Sequence, residues 1–241
     1  MERRCNVLEE GPIIEEHDSG KEAFDFQAIV GSVGYEPVGI ETWTGKLFRA
    51  PACREGVLES RRMLRGERLL LRPLASTDLR RCVKWFSDPQ VIYFLGRNSP
   101  ITLAEEERWF RDYERRTDEQ IFAIEVAGTH VGNLGLHKID RTHRKADVGI
   151  VIGESAYWSK GYGTEAMRIA LRYAFGELGL NKVSLDVLEY NTRAIRTYEK
   201  LGFQPEGLRR EDIYKDARFV NVLRMGILAR EMREDGPSHT D

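Results

Sequence analysis

A strand-like run, "ADVGIVIGE" (146–154), is followed by a loop that reaches Gly161-x-Gly163-x-x-Ala166 and then a helical pattern. Seven residues, "ESAYWSK" (154–160), stand between Gly153 and Gly161. That spacing constrains the fold more than any other feature. Taken alone, Gly-x-Gly-x-x-Ala satisfies the dinucleotide fingerprint. The fingerprint, however, needs its first glycine almost directly after the strand, in a tight turn into the helix. It also belongs on the first strand of alternating β–α units, and three antiparallel-looking strands precede it here. Asp186 and Glu189 lie about twenty residues further on, where a ribose-binding acid belongs. A dinucleotide-binding oxidoreductase therefore stays open as an alternative. A Walker A loop is excluded, because no Gly-Lys-Ser/Thr occurs.

A longer loop suits a pyrophosphate held through backbone. Successive N–H groups of Ser159, Lys160, Gly161, Tyr162, Gly163 and Thr164 can turn inward, and the helix N-terminus adds its dipole. Gly161 and Gly163 allow close backbone approach, and Lys160 adds charge. Coenzyme A carries such a pyrophosphate. The following helix is marked by Met167, Ala170, Leu171, Ala174 and Leu178, which repeat as one buried face, with Gly179 as its stop.

The rest of the chain alternates short signals. "RLLLRPL" (68–74) reads as a strand, and 76–86 as a helix with Leu79, Val83 and Phe86 on one side. Thr102 and Glu105 form a capping box that opens a helix over 102–116. Strands at 120–128 and 130–139 turn so tightly at Gly128 that only a hairpin fits. "KVSLDVLEY" (182–190) is a strand, "NTRAIRTYEKLG" (191–202) a short helix from an Asn cap to a Gly stop. A closing hairpin turns at "KDA" (215–217). The order predicts a mixed α/β (α+β) fold with a largely antiparallel sheet.

"VGIVIGESAYWSKGYGTEA" followed by "LDVLEYNTRAIRTYEKLGF" resembles the GCN5-related N-acetyltransferase (GNAT) family, most nearly its ribosomal-protein N-terminal acetyltransferase branch. The resemblance covers roughly 66–230. Trp158 stands where that family usually has Gln or Arg. The resemblance implies a V-shaped splay between the fourth and fifth strands, with backbone at Val151, Ile152 and Gly153 pairing with the pantetheine arm of acetyl-CoA as an added strand would. It also implies that Asn191 contacts the cofactor, although the same residue serves as a helix cap. Tyr198, seven residues on and on the same helix face, would protonate the departing thiolate; a core tyrosine with a satisfied hydroxyl is the structural alternative. Asp147 matches an acidic position of the branch and is the candidate base, against a plain strand-end carboxylate. His137, Glu154 and Glu189 are weaker candidates.

The expected activity is acetyl transfer from acetyl-CoA to a primary amine by direct attack in a ternary complex. The acceptor can be a protein N-terminus, a polyamine, an aminoglycoside or another small amine, approached through loops at 88–101 and 209–219. A non-catalytic acyl-CoA sensor is the rival from another class. No cysteine falls at a motif position, which speaks against an acetyl-cysteine intermediate, and three cysteines spread over 241 residues suggest neither disulfides nor a metal knuckle. A metal at "EEHD" (15–18) is not expected.

A net charge of −2 points to neither nucleic acid nor membrane surface. A cytoplasmic location is the default expectation, and a homodimer is a compatible assembly. Residues 1–62 hold 8 basic and 12 acidic positions and read as an acidic, partly disordered extension. The transferase domain is expected over 63–233, with Met63 at or near its start, and a disordered tail over 234–241.

Overall fold

The computed structural model describes residues 62–96 and 100–232. The expectations for the acidic extension, its "EEHD" cluster, Cys5, Cys53 and the C-terminal tail lie outside the described residues. Eight strands, β1 (Leu64–Arg65), β2 (Leu70–Pro73), β3 (Gln120–Val126), β4 (Thr129–Asp140), β5 (Lys145–Ile152), β6 (Lys182–Leu188), β7 (Gln204–Lys215) and β8 (Arg218–Leu228), form one sheet in the order β1-β2-β3-β4-β5-β6-β8-β7. Every neighbouring pair is antiparallel except β5–β6. The β1 strand is two residues long, too short for a periodic signal, so the fourth and fifth strands of the sequence reading are β5 and β6.

Two helical layers cover the sheet. Ile121 and Ala123 of β3 pack with α1 (Leu79–Phe86), α2 (Pro89–Ile92) and α3 (Leu103–Tyr113). Phe122 and Ile124, the alternate residues, pack with α4 (Tyr162–Arg172) and α5 (Thr192–Leu201). Because alternate strand residues point to opposite faces, these helix groups lie on opposite sides. The capping box of α3 is closed: Glu105 N–H donates to Thr102 Oγ1 at 3.3 Å, and Thr102 N–H to Glu105 Oε2 at 2.8 Å. Helix α2 falls inside the segment expected to be a loop. Asp88 at its N-cap and Pro89 at its first position are the local signal for it, but four residues show no periodicity.

Two differences from the sequence reading bear on packing. The helix after the glycine loop does not keep one rhythm to Leu178: it widens into a π-turn over Tyr173–Glu177, with Leu178 N–H donating to the Tyr173 carbonyl. That shift buries Tyr173, whose hydroxyl donates to Gln120 Oε1 at 2.9 Å. Both hairpins turn on left-handed pairs, Ala127–Gly128 and Asp216–Ala217, as two-residue turns between twisted strands require. No helix among the described residues is long and apolar enough to cross a membrane.

A polar network lies buried under α1. Arg72 donates to both oxygens of Asp78 at 2.7 and 2.8 Å and to Glu125 at 2.8 Å. His130 Nε2–H donates to Asn133 Oδ1 at 2.7 Å, with the ring edge-on to Trp85. Burial lowers the His130 pKa below its ordinary value, outweighing Asn133 and Asp78, which raise it. The unfolded chain therefore binds this proton more readily than the folded one, so stability rises with pH through the range below about 6.5. Melting temperature is expected to fall between pH 7 and pH 5, and less steeply in His130→Asn. Equal slopes in the two proteins would remove His130 from the acid response.

Candidate active site

The parallel pair β5–β6 is joined only at Lys145↔Lys182, Ala146↔Val183 and Asp147↔Ser184. Beyond Ser184 the strands separate, and a cleft of about 540 Å³ opens between them. This is the expected splay. The backbone groups it frees follow from the ladder on the other side of β5. Gly153 N–H donates to the Val131 carbonyl at 2.9 Å, in the register that pairs Asn133 with Val151. By antiparallel alternation, odd-numbered residues of β5 bond to β4, while Ile150 and Ile152, beyond the last β6 pair, turn their N–H and C=O groups toward the opening.

The assignment of Val151, Ile152 and Gly153 to the pantetheine arm needs correcting accordingly. Val151 borders the cleft, but its backbone belongs to β4. Gly153 is a packing residue, since a Cβ there would lie 2.0 Å from Trp85 Cδ2. Ile152 keeps its N–H toward the cleft, while its carbonyl accepts from Trp158 Nε1 at 2.6 Å. Trp158 thus ties the loop to the end of β5. Ile150 is the residue with both backbone groups facing the opening, and counting from Gly153 rather than from the ladder misses it.

The glycine loop closes one end of the cleft. Ser159 (φ 59) and Gly161 (φ 84) are left-handed, and Gly161 caps α4. The N–H groups of Tyr162, Gly163 and Thr164 belong to the first turn, where a helix has no carbonyl to offer them; Glu165 N–H is the first to bond back, to Gly161. Ser159, Gly161, Tyr162, Gly163 and Thr164 line the cleft. Lys160 does not; its ammonium lies over the Tyr157 ring. The cradle fits a pyrophosphate.

One residue that supports the loop escaped the sequence reading. Arg68 donates from its backbone N–H and its Nε to Glu165, both at 2.8 Å, and from Nη1 to the Lys160 carbonyl at 3.0 Å. Its guanidinium also lies over the Tyr162 ring at 4.9 Å. Arg68 and Glu165 are 97 residues apart, so no local pattern announces them. Arg193, Arg196 and Lys200 line the cleft from α5, and their i, i+3, i+7 spacing after the Asn cap was a readable signal.

Asn191 and Tyr198 both line the cleft, as their shared helix face requires. Asn191 also caps α5, accepting from Ala194 N–H at 3.3 Å. Tyr198 packs on Phe203. Burial alone pushes its phenol up to about 12, and no hydrogen bond contributes. The hydroxyl is thus without a partner among the described residues and stays protonated.

Asp147 is not brought into the cleft. Its carboxylate accepts from Arg224 Nη2 below the sheet opening. A proton acceptor must present a lone pair to the amine, so the structure withdraws Asp147 from the position of a direct base. His137 is fully buried against Glu119. Glu154 accepts from Trp85 Nε1 at 3.0 Å, and Glu189 from Asn221 Nδ2 at 2.9 Å. Burial raises the Cys82 thiol to about 12, which leaves it inert as a nucleophile. Asp186, counted above as a ribose acid, accepts from Arg209 at 3.0 Å and lies on the sheet face away from α4 with Ser184 and Leu188. The dinucleotide alternative thereby loses the acid that supported it. Among the described residues no group of side chains could hold a metal ion.

Comparisons with known proteins bear on this geometry. A family model described as an acetyltransferase (GNAT) domain matches residues 68–204. The uncharacterized N-acetyltransferase p20 of Bacillus licheniformis is 30% identical over 171 residues, covering 68% of this chain and 95% of the relative. The spermidine N(1)-acetyltransferase of Escherichia coli K12 is 30% identical over 161 residues, covering 67% and 86%. A crystal structure of the Vibrio cholerae spermidine N-acetyltransferase in complex with CoA and spermine superposes with a TM-score of 0.66 at 28% identity, covering 69% of this chain and 98% of that one.

Proposed function

The chain belongs to the GNAT family of acetyltransferases, and from that premise we propose that its cleft joins acetyl-CoA and a primary amine in one ternary complex for direct transfer. It is an N-acetyltransferase with acetyl-CoA as co-substrate. The observation that carries the reading is the β5–β6 pair that ends at Asp147↔Ser184. It leaves backbone groups facing a cleft that has the helix-α4 N-terminus at one end and the unpartnered Tyr198 hydroxyl on its wall.

In this reading the α4 cradle takes the pyrophosphate, and the backbone of Ile150 and the N–H of Ile152 take the pantetheine amides in place of a missing strand. Arg193, Arg196 and Lys200 supply positive charge for a phosphate-rich ligand. The amine nitrogen attacks the thioester carbon, a C–N bond forms and the C–S bond breaks. Tyr198 donates a proton to the leaving sulfur, and the proton shed by the amine restores the balance through solvent. The acceptor class spans protein N-termini, polyamines and other small amines; relatives named for spermidine support an amine.

Titration with acetyl-CoA and with NADH, followed by measuring thiol released over a panel of primary amines, tests this reading. Acetyl-CoA binding with amine-dependent thiol release is expected. Binding without release for any amine favours the acyl-CoA sensor, and preferential NADH binding overturns the proposal.

A further inference from the structure

The two arms of the V separate beyond Ser184, yet on the face away from α4 they are joined again. Helix α2 packs with the β3–β5 arm, Val91 lying in one cluster with Ile121, Ala123 and Val151. Tyr190 follows β6, and Lys215 ends β7, both in the other arm. Each donates across the gap: the Tyr190 hydroxyl to the Tyr93 carbonyl at 2.7 Å, and Lys215 Nζ to the Ile92 carbonyl at 3.0 Å. These carbonyls close a four-residue helix, whose last C=O groups have few donors of its own. The Ile92 carbonyl also accepts from Leu95 N–H at 3.0 Å, so the ammonium holds the turn that carries Leu95 and Gly96 into the cleft lining. A lysine is seldom buried unless paired, and Lys215 is 3% exposed. Rings continue the bridge. Arg218 lies over Tyr190, Tyr190 against Tyr93, and Tyr93 against Phe94, while the Arg193 guanidinium lies over both Phe94 and Trp158, at 5.4 and 4.9 Å.

We propose that Tyr190 and Lys215 are positioning residues for the amine, clasping α2 to the β6 arm and so setting the width of the cleft on the acceptor side. This rests on the transferase reading above. In that reading the pyrophosphate takes the α4 side, so the amine enters from the opposite face, where α2 and the β7–β8 hairpin stand. There Val91 and Leu95 line the cleft from one arm, and Ile213 and Val222 from the other. A single acceptor touches both pairs only at a fixed separation, and a misplacement of about 1 Å is enough to cost binding or rate. One turn of helix has no stability of its own, so the place of α2 depends on what grips it. The two loops expected to receive the acceptor are thereby bonded to each other, through Lys215 and Ile92.

The test measures thiol release over propylamine, phenethylamine, spermidine and the amide of Ala-Leu, with calorimetry for acetyl-CoA. For the amine that the unaltered protein uses best, Tyr190→Phe and Lys215→Met are each expected to raise KM by about fivefold or more, with acetyl-CoA affinity within about twofold. Tyr190→Phe keeps the ring, whose centroid is 5.0 Å from that of Tyr93, and removes only the hydroxyl, so it decides the matter even where Lys215→Met does not fold. An unchanged amine KM in a folded Tyr190→Phe protein overturns the inference. So do matching losses in amine KM and acetyl-CoA affinity, which mark a general loosening of the fold. Absence of thiol release with every amine in the unaltered protein instead overturns the transferase reading beneath it.

Discussion

Replacing Tyr198 with Phe lowers kcat roughly ten- to several-hundred-fold and leaves acetyl-CoA affinity within about threefold. Phe keeps the ring against Phe203, whose centroid is 5.9 Å away, so stability changes by less than about 1.5 kcal/mol. What is lost is one proton donor. Burial holds that phenol at about 12, whereas a free thiol lies near 8.5, taken as about the value for cysteine. Transfer to a fully formed thiolate is therefore uphill, and the hydroxyl helps only while the C–S bond is breaking. That limits the effect to the lower part of the range for general acids. Because the pKa is raised, the acid form persists through neutral and mildly alkaline pH, and kcat should show no alkaline limb from Tyr198 below about pH 11. Steady-state kinetics on a good amine, with calorimetry for acetyl-CoA, check both parts. Full kcat in Tyr198→Phe reduces the residue to packing. Equal losses in kcat and affinity mean that α5 has moved.

Gly161→Val should cost at least about an order of magnitude in acetyl-CoA affinity. At φ 84 the residue is left-handed, a conformation that costs an L side chain about 1–2 kcal/mol and a β-branched one more. A Cβ would also stand 3.1 Å from Arg68 Nη2. That arginine is half exposed and can yield, so the dihedral decides the outcome. Relieving it rotates the peptide that caps α4 and re-aims the first-turn N–H groups away from a bound pyrophosphate. A domain with about 5–15 kcal/mol of stability stays folded. Unchanged affinity by calorimetry in a folded protein removes the loop from cofactor binding.

Local chemistry made much of this molecule readable in advance. The Thr102–Glu105 box, the Asn191 cap with its Gly202 stop, and the tight turn at Gly128 each act within a few residues, so their signals sit side by side in the chain. The same holds for Asn191 and Tyr198, which one helix places on a common face. The seven-residue loop was enough to set a backbone-held pyrophosphate above a dinucleotide unit, whereas the splayed sheet came only as what the family resemblance implies.

What needed the tertiary structure is what depends on register and on distant partners. Which β5 backbone groups face the cleft turns on a ladder with β4, and a shift of one residue exchanges Val151 for Ile150. Asp147 looked like a base until β8 supplied Arg224, and Asp186 looked like a ribose acid until the sheet turned it to the other face, beside Arg209. Arg68 reached Glu165 across 97 residues of chain. The sequence by itself determined the elements and the chemistry available, because those follow from periodicity and capping over a few residues. Only the folded sheet decided which carboxylates lost their freedom to arginines, because charge pairing is set by distance in space.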